Sequence, residues 1–216
     1  MLARSHSYAL LGLDAIAVDI DADVSNGLPQ FALVGLADQA VREAKERVRS
    51  AILNSQLELP PKRITINLAP ADVKKEGGAF DLPIALALLA ASGQLDPAAV
   101  DGVAAVGELA LDGRLRPSPG ILPMAMAAHA GGCRTLLVPA ANAAEAAVVE
   151  GLEVIGIESL AQAVGHLSGA QPLAAQPAGV QASIEPADPE PVDFSDVRGQ
   201  ALAKRVLEVA AAGGHH

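Results

Sequence analysis

Cations crowd one stretch of this chain. Arg42, Lys45, Arg47, Arg49, Lys62, Arg63, Lys74 and Lys75 make up eight of its fifteen basic residues, and only Glu43, Glu46, Glu58 and Asp72 oppose them there. Lysine and arginine at this density attract phosphate. Two readings fit: a local anion-facing surface, or a solvated helix face followed by loop lysines. Arg42, Lys45 and Arg49 are spaced to share one face of a helix. If the domain touches DNA, contact is expected through Arg42, Lys45, Arg49, Lys62, Arg63, Lys74 and Lys75. A net charge of −10 over 216 residues argues against a general nucleic-acid binder.

Other chemistry finds less support. A phosphate-cradling loop needs a lysine followed by Ser or Thr, because the lysine meets the phosphates and the hydroxyl meets magnesium. None of the five lysines has that neighbour, and no G-x-G-x-x-G is present. His6, His129, His166, His215 and His216 lack a second ligand at metal-binding spacing, and the terminal pair cannot complete a fourfold shell. Asp14, Asp19, Asp21, Asp23 and Asp38 suggest a magnesium cluster at first sight. Asp19, Asp21 and Asp23 share one face if that strand continues, and read as the polar face of an edge strand. Nucleophilic catalysis needs an activated Ser, Cys or Thr. Ser118 sits between two prolines with no base near it in sequence. Cys133 has Arg134 beside it but no base, so it reads as a small packing residue.

The elements that must position these residues follow from periodicity. Strands are expected at 13–20, 30–36 and 62–70. A helix capped by Asp38 carries Val41, Ala44, Val48, Ala51 and Ile52 on its inner face. Residues 81–92 are apolar all round and read as a core helix, with Asp81 at the N-cap and Pro83 in the first turn. Short strands flank the turn Asp112-Gly113. Helices at 121–132, 142–151 and 158–169 alternate with strands at 134–139 and 153–157. The order β-β-α-β-α-β-β-α-β-α-β-α predicts an α/β fold with long crossovers. Residues 1–169 are expected to form this domain. Residues 170–192, rich in Pro, Ala and Gln, read as a flexible linker, and 193–216 resume helical spacing.

Hydrophobic residues make up 51% of the chain but aromatics only 2%, so the core must be built from Ala, Val, Leu and Ile. The lone Cys133 rules out an intramolecular disulfide and a cysteine-based zinc site. Asp14 and Asp19 interrupt the first apolar stretch, which therefore does not read as a signal peptide. No charge-free stretch is long enough to span a bilayer. A cytoplasmic location without membrane contact is the expectation.

Three segments carry a resemblance: PQFALVGLADQAVREAKERVRSAI, RITINLAPADVKKEGGAFDLPIALALLAASG and GELALDGRLRPSPGILPMAMAA. In this order they resemble the ComM/YifB family of magnesium-chelatase-like AAA+ ATPases. DFSDVRGQALAKRVLEVAAAGGHH is similar to the lead-in of that family's AAA+ module. The resemblance implies a first domain similar to the Lon protease domain and to the carboxy-terminal domain of RadA. That is a mixed β-α fold of the ribosomal-protein type. Lon-like enzymes use a Ser–Lys dyad. The resemblance places Phe80 where the serine would be and Leu122 where the lysine would be, so it implies a non-catalytic domain. It further implies a homo-hexameric ring that moves on branched or single-stranded DNA. Such a ring promotes branch migration in recombination and natural transformation, with ATP and magnesium bound outside this chain. Val197, Arg198 and Gly199 fall where the family packs near the adenine. Two alternatives stand beside this: a protease-fold module for protein docking or ring assembly, and a chelatase-type remodelling subunit.

Overall fold

The computed structural model describes residues 1–35, 38–73, 75–179, 194, 197 and 199–214. They fall in two units, Met1–Ala182 and Ser183–His216. In the first unit, β1 (Leu2–Leu11) and β2 (Asp14–Ser25) form a long antiparallel hairpin. The sequence reading expected one strand at 13–20 and missed β1. The reason lies in its inner face, Ala3, Ser5, Ser7 and Ala9, which is small and half polar yet buried. The Ser5 hydroxyl donates to the Pro83 carbonyl oxygen at 2.7 Å. Ser7 Oγ is buried with no hydrogen-bond partner among the described residues.

β3 (Gln30–Val34), α1 (Gln39–Asn54) and β4 (Arg63–Ala69) form a β-α-β crossover, with β3 and β4 parallel and Gln30 opposite Arg63. Then come α2 (Asp81–Ser92), α3 (Pro97–Val100), β5 (Val103–Ala105), and the small hairpin of β6 (Glu108–Leu109) and β7 (Leu115–Arg116). α4 (Ile121–Ala130), β8 (Thr135–Pro139), α5 (Ala143–Ala146), β9 (Glu153–Ile157) and α6 (Leu160–Leu167) complete the unit. The seven-stranded mixed sheet runs β3-β4-β2-β1-β5-β8-β9. β2 is therefore central rather than the edge strand expected, because the unrecognised β1 is its neighbour. Its Asp19 and Asp21 meet β1: Arg4 Nε lies 2.7 Å from Asp21, and His6 Nδ1 lies 2.9 Å from Asp19. Among the described residues no cluster of three ligands could hold a metal ion.

Two apolar layers sandwich the sheet. One joins β2 and β4 to α1, α2 and α6, and the other joins β5 and β8 to α4 and α5. α2 is buried without interruption from Asp81 to Ala91. Each of its buried leucines contributes about 2 kcal/mol. The expected N-cap at Asp81 is corrected: the cap position is Phe80, and Asp81 is the first helical residue. Its carboxylate is instead taken by Arg47 of α1, with Nε on Oδ2 at 2.6 Å and Nη2 on Oδ1 at 2.9 Å. The Leu109 amide adds a third bond at 3.1 Å.

Residues 170–179, read as the start of the linker, run back along the first unit. Leu173 packs on the core, and its N–H donates to His166 Nδ1 at 3.0 Å. The Gln176 N–H donates to the Val154 carbonyl oxygen on edge strand β9 at 2.8 Å. The remainder of that stretch, from 180 to 192, lies outside the described residues. In the second unit α7 (Ala201–Gly213) carries exposed Leu202, Val206 and Val209. No helix among the described residues is long and apolar enough to cross a membrane.

Lys75 departs from its expected role. The sequence reading placed it in an outward-reaching loop, but its side chain is fully buried and Nζ donates to the Pro70 carbonyl oxygen. Burial pushes its pKa down, and Asp72 partly opposes that shift. Reductive methylation read by mass spectrometry should therefore modify exposed Lys62 early and Lys75 last. Equal rates would mean the Lys75 pocket opens readily.

Burial raises the Asp81 pKa from 3.8 to about 6, against the opposing pull of Arg47. The folded state thus holds this proton more tightly than the unfolded chain. The stability it contributes is complete below about pH 4 and is lost as pH rises through about 6. Wild-type stability in urea, measured relative to Asp81→Asn, should fall across that window and then level off. Asp81→Ala should cost about 3 kcal/mol at neutral pH, because it strands the largely buried Arg47 charge. A loss below about 1 kcal/mol would show that the pair does not hold the helices together.

Candidate functional site

α1 is amphipathic by construction. Val41, Ala44, Val48, Ala51 and Ile52 face the core. The Asp38 side chain accepts from the Val41 N–H at 2.8 Å, as expected of its N-cap. The outward face carries Arg42, Lys45 and Arg49. Because β3 and β4 are parallel, α1 must run back toward the strand starts. Its outer turns thereby meet the loop Leu59-Pro60-Pro61-Lys62. The result is a groove of about 560 Å³ lined by Lys45, Arg49 and Lys62 above Phe31, Leu59 and Pro60. Among the described residues no carboxylate lines it. Lys45 makes only a loose contact with exposed Glu46 at 3.9 Å. Among the described residues Arg49 and Lys62 have no acidic partner.

Three of the seven expected contact residues thus converge: Lys45, Arg49 and Lys62. Arg42 lies one turn away on α1 and Arg63 follows Lys62; both are exposed but neither lines the groove. Lys75 is excluded by burial, and Lys74 lies outside the described residues. Sequence reasoning missed Phe31 and the proline wall, because only the crossover brings residues 29–31 and 59–62 together. Of the adenine-region residues, Arg198 lies outside the described residues. Val197 is 41% exposed, and its carbonyl oxygen accepts from Lys204 Nζ.

A second cavity, of about 170 Å³, lies between the loop before α2 and the segment before α4. Tyr8, Glu76, Ala79, Glu108, Ser118 and Met124 are among its walls. Phe80, read as occupying the serine position, is only 1% exposed and belongs to the core. Ala79, which directly follows Gly77-Gly78, lines the cavity together with Phe80. Neither carries a nucleophile. Leu122 sits in the first turn of α4, where its N–H donates to Glu145 Oε1 at 3.0 Å. Ser118 is clasped through its backbone: its N–H donates to Asn142 Oδ1 at 2.9 Å, and its carbonyl oxygen accepts from Asn142 Nδ2 at 3.0 Å. A Cβ at Gly78 would fall 2.5 Å from Glu108 Oε2, so the Glu108 side chain packs directly against this glycine.

A third cavity, of about 570 Å³, holds the His6–Asp19 pair, Tyr8 and Cys133. Cys133 Sγ is directed at the Thr135 carbonyl oxygen at 3.1 Å, and burial pushes the thiol pKa up. That is the setting of a packing residue rather than of an activated thiolate.

Comparison with known proteins gives this geometry its relatives. The family described as Subunit ChlI of Mg-chelatase matches residues 20–142. The chain is similar along its whole length to the competence protein ComM of Haemophilus influenzae, at 43% identity. It is likewise similar to the YifB protein of Salmonella typhimurium, at 45% identity. The chain spans 42% of the length of each of these relatives. A more distant likeness, 30% identity over 131 residues, connects 57% of the chain with 16% of a Lon protease from Chloroflexus aurantiacus. The chain thus belongs to the family of Mg-chelatase subunit ChlI, and over its whole length it is a homologue of the ComM and YifB proteins.

Proposed function

We propose that this chain is the non-catalytic accessory module of an ATP-driven, homo-hexameric ring that moves on DNA, and that it contributes a nucleic-acid surface. The observation that carries the reading is the convergence of Lys45, Arg49 and Lys62, from a helix and a loop, on one groove without a carboxylate. Among the described residues no carboxylate lines the groove and only Lys45 has a loose acidic contact, so an incoming phosphate meets largely unneutralised charge. The relative from Haemophilus influenzae is named a competence protein, which supports a role in natural transformation. The lysines of this chain lack a following Ser or Thr, so no step of nucleotide chemistry is assigned to it. Val197, Arg198 and Gly199 would approach the adenine only within a longer protein.

The groove is one patch on a chain of net charge −10, so binding by a single copy is weak. A ring repeats the patch and strengthens it through avidity. Phosphate contact also predicts steep salt dependence. Fluorescence anisotropy with a labelled branched DNA should show affinity falling with salt. The double variant Arg49→Glu/Lys62→Glu should weaken binding roughly tenfold and flatten the log–log salt slope by about two. Unchanged affinity and slope would set this reading aside in favour of protein docking or ring assembly.

A further inference from the structure

Phosphate alone does not account for the floor of the groove. Phe31 is half-buried: it packs on the core and also lines the groove. Leu59 and Pro60 continue the apolar surface between Lys45, Arg49 and Lys62. Aromatics are scarce in this chain, which has three Phe, one Tyr and no Trp. Phe80 is fully buried and Tyr8 is 6% exposed. Phe31 is therefore the accessible ring of the first unit, and it stands among cations that have no acidic partner on the groove wall.

A duplex presents phosphates outward and keeps its base faces stacked inside, so it offers no free base face to an aromatic floor. A single strand presents both phosphates and unstacked bases, and pairs them with a basic groove and an aromatic platform. Resting on the nucleic-acid reading above, we propose that this groove is a single-stranded DNA subsite. A base packs on Phe31 and the proline wall, and the flanking phosphates meet Lys45, Arg49 and Lys62. An acidic polypeptide would satisfy the cations and leave the floor unused.

Three labelled probes of equal length separate these cases by anisotropy at low salt: oligo-dT, an abasic oligomer with the same phosphates, and a duplex. The chain should bind oligo-dT roughly tenfold more tightly than the abasic oligomer, the size expected of one stacked base. Phe31→Leu, which keeps apolar bulk for the core, should erase most of that difference while leaving abasic binding unchanged. Circular dichroism and thermal melting establish that the variant is folded. Lys62→Glu should weaken both single-stranded probes alike. Equal binding of oligo-dT and abasic oligomer would overturn the base subsite and leave the phosphate surface standing. Displacement of oligo-dT by polyglutamate at equal charge concentration would overturn it in favour of an acidic polypeptide. Absence of binding to all three probes would overturn the nucleic-acid reading itself.

Discussion

A carboxylate removed entirely from water holds this fold in register. Asp81 is fully buried at the start of a helix that is itself buried, and its dehydration must be offset locally. Arg47 offsets part of it through two short bonds, and the Leu109 amide adds a third, although burial still leaves the carboxyl pKa raised. Arg47 Nη2 also donates to the Ala40 carbonyl oxygen, so the guanidinium is tied to its own helix. The pair thereby locks α1 to α2 and to the β6 strand. It also sets the rotation of α1 about its axis. With Arg47 turned toward Asp81 and the Val41–Val48 stripe turned to the core, Lys45 and Arg49 must face the groove.

The fold keeps its charges apart. The chain is acidic overall, yet Asp19 and Asp21 lie on β2, engaged by Arg4 and His6 of β1. Asp81 is spent on Arg47. Among the described residues Arg49 and Lys62 of the basic groove have no acidic partner and Lys45 has only the loose contact with Glu46, which the net charge conceals. The cavity near Ala79 and Ser118 follows a different logic. Its loop geometry accompanies a distant likeness to Lon proteases, but the positions read as serine and lysine hold residues that pack instead of reacting.

Local pattern carried much of this. The Asp38 cap, the amphipathic stripe of α1 and the all-apolar α2 each follow from side chains close in sequence. Strand β1 was hidden because Ser5 and Ser7 occupy inward positions, where period-two hydrophobicity was the signal sought. That loss also misplaced β2 at an edge. Lys75 was misread because two adjacent lysines before Gly77-Gly78 look like a solvated loop, whereas a long apolar stem with a carbonyl at its tip can be buried. The Asp81 role was hidden too, since its partner Arg47 is 34 residues away. The groove was half legible. Its cations were evident from composition, but Phe31 joins them only through the parallel pairing of β3 with β4.

On the proposed reading, the α1 face and the strand starts beside it form one nucleic-acid surface. Amide chemical-shift mapping of the isotope-labelled chain during an oligo-dT titration tests it most directly. Perturbations should saturate together at Phe31, Lys45, Arg49 and the Leu59–Lys62 loop, with the amides around Ala79 and Ser118 unmoved. Perturbations centred on that second cavity, or none at α1 under saturating oligonucleotide, would contradict it.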